Sequence, residues 1–346
     1  MKFFNPLIML GLTLFTLNAQ NQNPLLKKWE GSYGGVPAFN TYSVADIKPA
    51  LEAAIQEKLN ETEAIANNPQ AATFKNTIAA LELSGQTLSR VMTVFGIYSS
   101  NLNSPEFSQV ETEMTPKIYA VSNKVYQNKK LFNRIEKVYN DPATKKLSKE
   151  EQRLVWLYRN NFVREGARAD AKSKEKISKI NEELAGLFTK FSQNLLAEEN
   201  TQYVELKTEQ DFEGLPAEIK NAAMAQAKER KLDMMGCVSN TRSSIEPFLT
   251  FSTNRQLREK AWRMFIMRGD NGNANDNKAT LVQILKLRAQ KAKLLGFPTF
   301  AHWSLSNTMA KTPERTLALM EAVWKPAVNQ VHKDVADMQK IADAEG

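Results

Sequence analysis

From Ser43 to the end of the chain, apolar residues return at steps of three and four, and this period limits the folds open to the sequence more than any other feature. Val44, Ile47, Leu51, Ile55, Leu59 and Ile65 make one such stripe, opened by Ser43 with Asp46 three residues on, a capping-box pattern. A second stripe runs through Phe74, Ile78, Leu81, Leu88, Met92 and Phe95. A third runs through Ile177, Ile180, Leu184, Phe188, Phe191 and Leu195. Residues three and four apart share one side of a helix, so each stripe is a face that has to be buried against a neighbour. The expected fold class is mostly α.

The pattern continues past the middle of the chain. Leu215-Pro216 opens a fourth helix, with proline where a first-turn N–H would be unpaired anyway. Thr253, followed by Gln256, starts a helix carrying Leu257, Ala261 and Phe265, which ends near Arg268-Gly269. Leu281, Ile284, Leu285, Arg288, Ala292 and Leu295 form the next, stopped by Gly296 and Pro298. Thr312-Pro313-Glu314 supplies an N-cap, a first-turn proline and an early acid for the last helix. Its stripe includes Leu317, Met320, Trp324, Val331, Val335, Met338 and Ile341, and Pro326 within it is expected to kink or break it. Strand signals are confined to residues 202–206 and 247–251, each too short to build a sheet alone. At 346 residues the chain is long enough for about two domains with unstapled cores.

The first residues read as a targeting signal. Lys2 gives a positive start, residues 7–17 are largely apolar, and Leu17-Asn18-Ala19 offers a small-residue cleavage site. The apolar run is shorter than the roughly 20 residues of a membrane-spanning helix. Cleavage near Ala19 and a periplasmic or secreted protein without a stable membrane anchor are expected; the alternative is an uncleaved N-terminal anchor.

Composition narrows the chemistry. A single cysteine, Cys237, rules out an intrachain disulfide framework and every cysteine-cluster metal site. The two histidines, His302 and His332, rule out a three-histidine zinc site, and no H-E-x-x-H occurs. Phosphate-binding glycine loops and a G-x-S-x-G elbow are also absent from the sequence. His302 lies among aromatic and apolar residues and reads as a partly buried, hydrogen-bonded side chain; His332 reads as a helix-surface residue and Cys237 as a buried, inert thiol. The polar loop of residues 270–277 invites a calcium reading that the spacing refuses. Counted from Asp270, positions three and five are Gly272 and Ala274; counted from Asn271, positions six and twelve are Asp276 and Val282 instead of Gly and Glu. The loop reads as a structural connector, against the alternative of a cation site of another geometry. The 46 Lys+Arg against 38 Asp+Glu leave a net charge of +8, yet Lys174-Glu175-Lys176 and Lys228-Glu229-Arg230 alternate sign like solvated helix faces. No nucleic-acid partner is expected on that pattern.

A resemblance adds what these residues do not. Trp156-Leu-Tyr-Arg-Asn-Asn-Phe-Val-Arg-Glu-Gly-Ala167, Ile180-Asn-Glu-Glu-Leu184 and Phe191-Ser-Gln-Asn-Leu195 are similar to the N-terminal half of the thimet oligopeptidase family of zinc metallopeptidases. Arg255-Gln-Leu-Arg258, the stretch 268–277, Leu287-Arg-Ala-Gln-Lys-Ala-Lys-Leu-Leu-Gly-Phe297 and Thr308-Met-Ala-Lys-Thr-Pro313 resemble its peptidyl-dipeptidase Dcp and oligopeptidase A branch in order and spacing. The resemblance covers essentially the whole chain after the targeting segment. It implies a mostly α, two-lobed zinc peptidase whose deep channel admits short peptides, and Dcp-like members remove dipeptides from free C-termini. It also implies zinc held by H-E-x-x-H and a downstream Glu, the motif Glu serving as general base for a zinc-bound water.

Here that motif is missing, so no residue of the 346 is assigned a catalytic, cofactor-binding or metal-ligating role. The expected organisation is a signal at residues 1–19, a helical lobe at 20–245, and the start of a catalytic domain at 246–346, truncated before its zinc motif. The expected function is that of part of an exported, monomeric zinc peptidase acting on short peptides. Its alternative is a helical peptide-binding or scaffold protein. Truncation would leave Trp324, Val331 and Met338 of the last helix without partners.

Overall fold

Ser43 donates its N–H to Asp46 Oδ2 at 2.8 Å, and the helix expected there follows as α1, Val44–Ala66. The computed structural model describes residues 23–32 and 35–345, and the expected targeting segment lies outside them. The stripe from Phe74 to Phe95 is not one helix. A π-helical turn, Phe74–Ala79, runs into the short α2, Ala80–Leu83, and the chain then turns at Ser84-Gly85 before α3, Gln86–Ser100. Gly85 sits at φ +76°, a left-handed conformation that L-residues with a Cβ avoid, and its N–H is taken up by Glu61 Oε2 at 2.6 Å. Periodicity alone carried the reading across the turn because its apolar phase happens to continue on both sides.

Next come α4, Pro105–Tyr126, capped by Ser104; α5, Lys129–Asn140; α6, Lys149–Arg164; and α7, Ala171–Thr201. The chain then forms β1, Tyr203–Leu206, and α8, Ala217–Glu229, which starts after Pro216 as its composition predicts. The partner strand is β2, Gly236–Ser239, antiparallel to β1 with Tyr203 opposite Ser239 and Leu206 opposite Gly236. Residues 247–251 are not a strand: they end the helix α9, Arg242–Phe251. Ile245 and Phe248, three apart and both buried, show the helical period there, whereas all four residues of β2 are buried and hide the alternation that marks a strand.

The remaining helices are α10, Arg255–Ile266; α11, Lys278–Leu294; α12, Phe300–Leu305; and α13, Pro313–Glu345. The cap of α10 is Asn254, whose Oδ1 accepts from the Leu257 N–H at 3.1 Å, and not Thr253, whose own N–H is spent on Glu213 O. α13 runs through Pro326 as one helix, neither stopped nor restarted there. No helix among the described residues is long and apolar enough to cross a membrane.

Four cores hold these elements. Ile47 and Leu51 of α1 meet Val91 and Val94 of α3 and Phe107 and Met114 of α4. Ile65 and Ile78 meet Leu131 and Ile135 of α5 and Phe162 of α6. Long α7 lies along α4 and reaches α11, where Ile180 and Leu184 pack on Ile284 and Leu287. The two-stranded sheet places Val204, Leu206 and Val238 against Phe212, Ile245 and Phe248. Burying a side chain of this size contributes about 1.5–3 kcal/mol.

Candidate functional site

The polar loop after α10 is organised by a carboxylate that the sequence reading did not single out. Glu198, near the end of α7, is fully buried. Its Oε2 accepts from the Gly269 N–H at 2.6 Å and from Asn271 Nδ2 at 3.0 Å; its Oε1 accepts from Asn273 Nδ2 at 2.8 Å and Asn271 Nδ2 at 2.9 Å. Burial pushes this acid up, but the three donors to its charged form outweigh burial and leave it below its ordinary value. Gly269, at φ +72°, allows the approach, and a Cβ there would meet Leu195 Cδ2 at 3.0 Å and Asn277 Nδ2 at 3.1 Å. Asn277 closes the loop's far end, accepting from Asn194 Nδ2 at 2.9 Å and donating to Phe191 O at 3.0 Å. The Asn-rich composition that suggested calcium therefore serves an anion supplied by the protein. The signal that could have found it is the surplus of amide donors, which calls for an acceptor.

Beside this loop lies a groove of about 750 Å³. One wall is β1, through Tyr203, Val204 and Glu205; the other is α10, through Leu257, Lys260 and Met264, which fall on one side of that helix. Asn271 and Asp211 are also among the lining residues. Asp211 accepts from the Lys207 and Thr208 N–H groups at 2.8 and 2.9 Å, which lower it despite some burial.

The three side chains weighed for reactivity lie apart from that groove's lining. Cys237 is buried in β2, where burial pushes its thiol up against a lesser opposing effect of Arg230; a raised thiol is a poor nucleophile at neutral pH. His302, half-buried in α12, has Nδ1 2.8 Å from Thr299 Oγ1 and Nε2 3.7 Å from Glu314. His332 is exposed on α13. Among the described residues, no three His, Cys, Asp or Glu side chains group as metal ligands would.

Helices α11 and α12 are tied to the end of α6. Trp303 Nε1 donates to Arg164 O at 3.1 Å, and Arg164 Nη1 donates back to Trp303 O at 2.8 Å. The Lys291 ammonium lies 4.6 Å from the Trp303 ring centre and pairs with Glu165 at 3.3 Å. Beyond this joint, α13 projects its apolar stripe into solvent: Trp324 is 71% exposed, Val331 54% and Met338 59%.

The profile of peptidase family M3 matches residues 248–346. The dipeptidyl carboxypeptidase of Salmonella typhimurium is 32% identical over 323 residues, 93% of this chain and 47% of that protein. Its Escherichia coli counterpart is 31% identical over 307 residues, covering 89% and 45%. Oligopeptidase A of Haemophilus influenzae is 27% identical over 327 residues, covering 93% and 47%. Over about nine-tenths of its length the chain is thus similar to members of the thimet oligopeptidase family, peptidase family M3. It spans about half the length of these relatives.

Proposed function

We propose that this chain provides the N-terminal lobe, residues 20–245, and the first catalytic-domain helices, residues 246–346, of an exported zinc peptidase that releases dipeptides from the C-termini of short peptides. The observation that carries the reading is the 32% identity to a dipeptidyl carboxypeptidase across 93% of the chain. The family-profile match over residues 248–346 supports the placing of the domain boundary. Export rests on the sequence of residues 1–19.

Zinc would activate water for attack on the scissile carbonyl when bound, but the residues here do not fit it. Neither an H-E-x-x-H nor a three-donor cluster is available among the described residues, so no step of hydrolysis is derived from them. What this chain contributes in the reading is a rigid wall for the peptide channel. The exposed stripe of α13 is the face on which the rest of the catalytic domain packs, and the completed protein is a monomer.

An N-terminally blocked hexapeptide, incubated with this chain and with a version extended through the encoded downstream sequence, tests the reading by mass analysis of products. Dipeptide release by the extended protein alone is the expected result. Release by the 346-residue chain would place the chemistry on residues described here and overturn it. Inactivity of both would favour a peptide-binding or scaffold role.

A further inference from the structure

Exposed large apolar side chains are not spread evenly along the chain. Among the described residues, seven fall before residue 248 and seventeen after it. The earlier ones are mostly single, as on an ordinary soluble surface. The change comes where the match to the M3 profile begins. Helices α10 and α11 show its form, for each is apolar on two sides. Ala261 of α10 packs with Ile245 and Phe248, while Trp262 and Ile266, four apart on a second side, are about half exposed. Ile284 and Leu287 of α11 pack on Ile180 and Leu184, while Leu281 and Leu285, again four apart, are about half exposed. A helix with one apolar side rests on a surface, whereas a helix with two lies between layers.

The size of what covers these sides follows from α13. That helix has 33 residues, none of them buried, and spans about 50 Å, so its cover is the size of a domain. The relatives contain such a body of chain: this sequence accounts for 47% of one dipeptidyl carboxypeptidase and 45% of the other, leaving as much again outside the match. We propose that the chain following residue 346 in the longer protein packs on α10 and α11 as well as on α13, over Trp262, Ile266, Leu281 and Leu285, and so makes α10 and α11 an inner layer of the completed domain. This rests on the reading of the chain as the first part of a longer peptidase and names two further helices on which the rest is built.

Maleimide labelling of Ile266→Cys and Leu285→Cys reads the contact, each variant being made in this chain and in the version extended through the encoded downstream sequence. The native Cys237 is buried with its thiol pushed up, and reacts slowly in both. The two introduced thiols are expected to react about tenfold or more slowly in the extended protein, and Leu83→Cys, at an exposed position of α2, to react equally in both. Hydroxyl-radical footprinting of Trp262 in the unsubstituted proteins decides the matter if a cysteine variant fails to fold: less oxidation is expected in the extended protein. Equal labelling and equal oxidation of the two proteins would overturn the proposal. So would full protection in a stable dimer of the 346-residue chain, since a second copy would then cover these sides. No hydrolysis enters the readout. Dipeptide release without protection would therefore overturn this inference alone, and protection without release would overturn only the reading of the activity.

Discussion

Glu198 shows how one side chain can organise a segment that composition presents as a loop. Three hydrogen-bond donors converge on a fully buried carboxylate, and the buried Gly269 N–H would be stranded without it. Glu198→Gln turns its amide N–H₂ toward those donors and is expected to cost about 2 kcal/mol at pH 7, read by urea unfolding. The pH dependence has a definite sign. The folded-state acid titrates below its ordinary value of 4.5, so its contribution is complete above that value and is lost as pH falls through the folded one. The gap between parent and Gln variant should therefore close in acid; a gap unchanged down to pH 3 would show that Glu198 is not held charged. At this scale the sequence was partly legible. His302 is half-buried with a hydroxyl partner, His332 is exposed and Cys237 is buried, as their neighbours imply. Glu198 was not, because the donors that define it arrive from a loop some seventy positions later, and spacing within a helix carries no record of them.

Elements were legible where the period and the end signals agree. Ser43 with Asp46, Gly296, and Thr312-Pro313 all mark true helix ends. They failed where the apolar phase ran through a turn, at Gly85, and where a strand is buried on both faces, at Gly236–Ser239. Two substitutions examine these points. Gly85→Ala forces a Cβ into a left-handed conformation at φ +76° and to 2.7 Å from Lys58 Cδ. It is expected to lower stability by about 1–2 kcal/mol in chemical denaturation. Pro326→Ala restores an N–H to the interior of α13 and removes a ring that crowds the preceding turn, so it is expected to stabilise that helix by up to about 3 kcal/mol and to raise the far-ultraviolet helical signal. A fall in helicity would mean that α13 needs the proline for its path.

Among the described residues, the cores are well buried up to α11 and the apolar stripe of α13 is not. Leu317 at 54%, Trp324 at 71% and Ile341 at 61% exposure form a surface that water disfavours. The chain alone is expected to associate with rising concentration in light scattering, and Trp324→Ser with Val331→Ser is expected to suppress this without loss of the folded lobe. A fold class of packed helices was readable from repeated stripes because each stripe needs a partner, and the structure supplies one for nearly all of them. The proposed hydrolytic chemistry was not, because the metal-binding motif that the family resemblance implies does not occur in the 346 residues. The most direct test of the central claim is zinc stoichiometry in the purified 346-residue chain and in the extended protein, after dialysis against a weak chelator. The account predicts one zinc per extended protein and none retained by this chain; one tightly held zinc in the 346-residue chain would contradict it.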